Sequence, residues 1–259
     1  MCWMLAFLLM AGIAQGADRI DPIARARSLY NDKDFESAIV AAEEARRLVP
    51  ARADSADLIA ARAHLERFRM SGQSDDLARA RDRLRRIHAE RLAAGERMEL
   101  VVGLGEALYL EESMGAAADI FDSILTRTYL LPEARERVLD WWASALDRDA
   151  RPRTDFERQS IYQRIRERMR AELGINPASS VASYWLAAAA RGQGDWRAAW
   201  AAAQAAWVRA PLSTDRGAAL RGDLEQLMEI GILPARASAQ AQPVERLRME
   251  WEEFKTRWE

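Results

Sequence analysis

The sequence predicts an all-α protein built from about five helical hairpins, and three observations carry that prediction. Alanine, arginine, leucine and glutamate, all strong helix formers, dominate the 259 residues. β-Branched residues never gather into alternating runs, and aromatic residues make up only 8% of the chain. Helical segments also recur at a nearly constant step: the anchors Ala38, Ala78, Ala117, Arg158 and Ala199 are separated by 40, 39, 41 and 41 positions.

The chain opens on an apolar run from Cys2 to Ile13, followed by Ala14-Gln15-Gly16. Small residues at Ala14 and Gly16 fit the −3 and −1 positions of a signal-peptidase site, so residues 1–16 are expected to be a signal peptide cleaved before Ala17. The run falls short of the roughly 20 residues that span a bilayer, and no stable membrane span is expected after cleavage. No Lys or Arg precedes the run, which departs from the usual signal and keeps a buried N-terminal helix open as the alternative. The mature chain would contain no cysteine, which suits a periplasmic or secreted location without need of a disulfide.

Residues 17–211 carry the repeats. In the first unit Phe35 precedes Ala38 by three, Ala42 and Ala45 follow, and Pro50 closes the segment. The fifth unit repeats this with Trp196, Ala199, Ala203, Ala206 and Pro211. Small residues at these spacings let two helices approach closely, and the proline ends the helix by removing a backbone donor. The third unit shows Leu104-Gly105, Leu108, Ala117, Phe121 and Ile124. The second and fourth are weaker copies, with Leu77, Ala80, Leu84 and Ile87 on one face and Ile161, Ile165, Met169 and Leu173 on another. Residues 212–259 read as C-terminal helices. Asp215 to Glu229 forms one, stopped by Gly231 and Pro234, and a small polar linker lies near 231–242. Pro243 then opens a last helix bearing Leu247, Trp251, Phe254 and Trp258 as one stripe. That helix either caps the array or docks to a partner.

These units resemble the tetratricopeptide repeat (TPR), most clearly in the first and fifth copies, although the step exceeds the 34 residues of the standard repeat. The resemblance implies a TPR-like α-solenoid with a C-terminal helical cap and a concave face lined by the first helix of each hairpin. Carried over by position, it points to Arg27, Tyr30 and Asn31 in the first unit, to Glu106, Tyr109 and Leu110 in the third, and to Tyr184, Ala188 and Arg191 in the fifth. A tyrosine is thus expected to recur in all three, and tyrosine suits interfaces because it buries area while keeping a polar tip. Ile23, Arg27, Val102 and Glu106 stand where chaperone-tail-binding TPRs need Lys and Asn, which disfavours that ligand class.

Other chemistry is sparse. No phosphate loop, nucleophile elbow or metal-ligand spacing appears, so neither a cofactor nor a metal is expected. His64 and His88, the only histidines, fall in neighbouring helices of the second unit and could lie close together. Only Lys33 and Lys255 are lysines among 38 basic residues, and the net charge is −2, which argues against general nucleic-acid binding. Arginine-dense stretches such as Arg79–Arg91 and Arg158–Arg170 read as solvated helix faces with intrahelical pairs. Trp185, Trp196, Trp200 and Trp207 read as packing between hairpins. The expected function is an exported, non-catalytic scaffold that binds a protein or peptide, placed by analogy in an envelope-assembly or secretion complex. A cytoplasmic helical-repeat regulatory module and a carboxylate enzyme acting on a polymeric substrate stay open as alternatives.

Overall fold

The computed structural model describes residues 21–126 and 132–258, and every regular element among them is helical. The expected signal peptide at 1–16 lies outside the described residues. The chain divides into two compact units after Ala93, inside the segment read as a single repeat array.

The first unit holds α1 (Pro22–Asn31), α2 (Phe35–Leu48), α3 (Ala53–Ser71) and α4 (Ser74–Leu84). Helix α1 packs on α2 and α3, and α3 packs on both α2 and α4. Ala38, Ala42 and Ala45 are at most 1% exposed, so the small residues picked out by spacing do face the neighbouring helix. Arg83 of α4 ties this unit together electrostatically, donating to Asp57 of α3 at 2.8 Å and pairing with Glu43 of α2.

The second unit contains α5 (Ala94–Leu110), α6 (Met114–Leu125), α7 (Pro132–Ala150), α8 (Asp155–Ile175), α9 (Ser180–Gly192) and α10 (Trp196–Arg209). It continues through α11 (Ala218–Leu227), a π-helical turn (Met228–Ile232), α12 (Leu233–Gln240) and α13 (Val244–Trp258). Each helix from α5 to α10 packs on the next, including the pairs α5/α6, α7/α8 and α9/α10. Gly105 explains how close such a pair can come: a Cβ there would lie 2.6 Å from the ring of Phe121, which is fully buried. Arg135 of α7 donates two bonds of 2.7 Å to the buried Glu172 of α8 and a third to the last carbonyl of α6, Leu125, at 3.1 Å. Trp142 is buried below Arg164 and Arg168, whose guanidiniums lie 5.7 and 5.5 Å from its ring and reach Asp122.

The turns after α1, α3, α5 and α9 share a backbone conformation. Lys33, Gly72, Glu112 and Gly194 all adopt left-handed φ values between 62° and 75°. Three of these turns also share one hydrogen-bond pattern. The N–H after the left-handed residue reaches back five positions, from Asp34 to Leu29, Ser113 to Leu108 and Asp195 to Ala190. That 6→1 bond is the Schellman closure of a helix end. Asp34 and Asp195 then cap the next helix, accepting from Ser37 and Ala198. Part of the longer step is absorbed by long helices: α3 and α7 each run 19 residues, and α8 runs 21.

The C-terminal region corrects two expectations. Residues 231–242 are not a linker, because the π turn and α12 carry helix through to Gln240. Pro234 falls in the first turn of α12, where its missing N–H is tolerated, and the alanines that follow favour helix. Helix α11 begins at Ala218 rather than Asp215, since Arg216 and Gly217 are left-handed and the Asp215 carboxylate caps Gly217 and Ala219. Leu247 and Trp251 on α13 are fully buried and Phe254 is 9% exposed. The Trp251 ring meets Trp200 and Trp207 edge-on at 5.9 and 5.5 Å and stacks on Phe254 at 5.5 Å. Of the two readings left open for this stripe, its burial fits the cap, and only Trp258, 54% exposed, remains outside the core.

Candidate binding face

In the second unit the first helices of successive pairs touch one another in a row: α5 on α7, α7 on α9, and α9 on α11. Helix α7 presents Asp140, Ser144 and Arg148 at spacings of four, hence on one face. Toward α5, the Tyr109 hydroxyl and Ser144 Oγ are 2.8 Å apart, while Arg148 lies 5.6 Å from the Tyr109 ring and pairs with Glu112 at 3.1 Å. Toward α9, the indole N–H of Trp185 donates to Asp140 at 2.7 Å, and Trp185 meets Tyr184 edge-on at 5.5 Å. Tyr109 and Tyr184 are half-buried beside this α7 face.

Between α7, α9 and α11 opens a cleft of about 420 Å³ lined by Asp140, Ser180, Val181, Tyr184, Ala219, Leu220 and Asp223. Burial, reinforced by the negative charge of Asp140, raises the Asp223 carboxyl above the usual carboxylate range. Burial also raises the Tyr184 phenol, with Asp223, Asp147 and Asp140 adding to the shift and Arg191 opposing it. The cleft thus holds negative charge that its own walls do not neutralise.

Several expected site residues fall elsewhere. Glu106 is 2% exposed, inside the α5 packing surface rather than open to a ligand. Arg27 is half-buried and Asn31 exposed at the end of α1. Tyr30 sits in the first unit with Phe35 at 5.7 Å and Arg62 at 5.7 Å from its ring. The recurrence of tyrosine also needs correction. Tyr30 and Tyr109 lie three residues before the left-handed residues Lys33 and Glu112, whereas that place before Gly194 is held by Arg191. Tyr184 lies ten residues before Gly194, the register of Ile23 and Val102. Arg191 runs against the π turn, where a Cβ on Gly231 would lie 2.3 Å from its Nε. Gly231 therefore makes room for Arg191 instead of stopping a helix.

The histidines do not meet. His64 is buried, with Nδ1 2.8 Å from Asp76 Oδ1, and burial lowers its pKa against the pull of that carboxylate. The backbone N–H of His88 donates to Asp54 at 3.0 Å, and Asp54 stands ten residues before His64 on α3, about 15 Å along the helix. Among the described residues, no group of three or more His, Cys, Asp or Glu is placed to hold a metal ion, and no helix is long and apolar enough to cross a membrane. Asp140, Ser144 and Asp223 were not picked out by sequence. Asp223 has no basic residue three or four positions away on its helix, but Asp57, Glu99 and Asp122 share that feature, so it did not single Asp223 out. No protein-family model matches the chain, and comparison with curated proteins gives no match.

Proposed function

We propose that the protein is a TPR-like helical scaffold that binds a protein or peptide along the face formed by the first helices of its pairs. One observation supports this most: a single face of α7 joins Tyr109 on one side to the Tyr184 cleft on the other. Half-buried tyrosines beside a formed cleft suit recognition of an extended or helical segment. The recurring left-handed turns support the repeat reading, because tandem units rebuild the same local closure. In this proposal the protein is exported and serves an envelope-assembly or secretion complex. Selection of a displayed peptide library on the full chain tests the binding role. Enriched sequences that lose binding to Tyr109→Ala or Tyr184→Ala variants are the expected result, and no enrichment overturns it. A reporter fused after Ala17 tests export, and its retention in the cytoplasm removes that part.

The Asp140–Asp223 pair favours a second reading, carboxylate chemistry on a polymeric substrate. Hydrolysis of a glycan panel that disappears in both Asp140→Asn and Asp223→Asn variants is its signature, and no turnover dismisses it.

A further inference from the structure

We propose that the cleft between α7, α9 and α11 is a socket for an arginine side chain of the bound peptide, an assignment that rests on the scaffold reading above. The cavity is a formed one of about 420 Å³, and its lining divides by chemistry. Val181, Ala219 and Leu220 supply an apolar surface for a side-chain stem, Tyr184 supplies an aromatic wall, and Asp140 and Asp223 supply two carboxylates. A guanidinium suits all three, since its planar fork donates to carboxylates along its edges while its face stacks on an aromatic ring.

Charge complementarity is what selects a cationic occupant. This chain routinely matches carboxylates between helices with its own arginines: Glu172 with Arg135, Asp122 with Arg164 and Arg168, Asp57 with Arg46 and Arg83. Asp140 and Asp223 depart from that habit, and neither forms an ion pair among the described residues. Asp140 is held by the neutral indole N–H of Trp185. Arg191 influences the same region but packs on Gly231 and pairs with neither carboxylate. Both carboxylates are exposed, so water screens them in the empty cleft, and an entering guanidinium exchanges that hydration for charge-assisted hydrogen bonds and a stacked contact with the Tyr184 ring. Partial burial first, and the negative charge of Asp140 second, hold the Asp223 carboxyl above the usual carboxylate range.

The test follows the Tyr ring signals by NMR, with Tyr184 assigned by substitution, while N-acetyl-arginine-methylamide is titrated into the full chain. Parallel arms use the neutral citrulline and the lysine analogues. Saturable movement of Tyr184 with arginine is expected, with citrulline silent and lysine weaker by about tenfold. Asp223→Asn and Asp140→Asn should each weaken arginine binding about tenfold or more, while Trp258→Ala, at an exposed residue outside the cleft, leaves it unchanged. Equal responses to arginine and citrulline, equal responses to arginine and lysine, or no movement of Tyr184 would overturn the assignment. The scaffold reading is judged separately. Selected peptides that bind through Tyr109 but ignore Asp223→Asn defeat the socket and keep the scaffold. Arginine binding with no peptide selected does the reverse.

Discussion

Tyr162 shows how a single side chain reports its surroundings. It is 5% exposed, its hydroxyl donates to Asp147 at 2.9 Å, and burial together with that carboxylate pushes the phenol up to about 12. Because the fold prefers the neutral phenol, its contribution to stability is intact below the unfolded value near 10 and is lost as pH climbs toward about 12. The difference in alkaline absorbance between the wild type and Tyr162→Phe should show a phenolate midpoint near that raised value. A midpoint near 10 would contradict the buried hydrogen bond. The Arg135–Glu172 pair gives a second test at this scale. Glu172 is 2% exposed, so Arg135→Ala strands a buried charge and should cost about 3–5 kcal/mol in urea unfolding. Replacing both residues together by Met and Leu should recover most of that loss. Residue-level legibility was uneven. Ala38, Ala42, Ala199 and Ala203 are buried as their spacing predicts, because helical periodicity is a local property. The proximity of His64 and His88 failed, because each histidine is fixed by a different aspartate, Asp76 of α4 and Asp54 of α3.

Among the elements, α13 had two readings that the sequence alone left open. A stripe of Leu247, Trp251, Phe254 and Trp258 is the same pattern whether it meets its own protein or another. Only tertiary contact decides, and the Trp200–Trp207–Trp251–Phe254 cluster turns the stripe inward. Trp251→Ala should therefore cost about 3–5 kcal/mol, whereas Trp258→Ala should stay within about 0.5 kcal/mol. Thermal unfolding of both variants checks this, and a loss below about 1 kcal/mol for Trp251→Ala would remove α13 from the core. The misread linker has a related cause. Gly231 and Pro234 are strong stop signals in an isolated helix. Here the glycine admits the Arg191 side chain, and the proline occupies a first turn. Neither role can be recognised without the neighbouring helix. The tyrosine register failed for the opposite reason, since residue identity was followed where the turn geometry sets the alignment.

At the scale of the molecule, the all-α class and the step near forty residues were legible because composition and periodicity sum over many positions. The left-handed turns at Lys33, Gly72, Glu112 and Gly194 keep that step at separations of 39 and 40, then 82, twice the period across the fourth unit. The binding face was legible only in part. Tyr109 and Tyr184 were named, but Asp140, Ser144 and Asp223 gather around them through packing of α5, α7, α9 and α11, elements distant in sequence. Cleft chemistry of this kind depends on which charges lack partners, and that is a property of the folded surface. The most direct test of the proposed face is calorimetric titration of a library-selected peptide into the full chain and its Tyr109→Ala and Tyr184→Ala variants, each first shown to keep its melting transition. Each substitution is expected to weaken binding about tenfold or more, as loss of a central aromatic contact should. Unchanged affinity in both variants would contradict the proposed face.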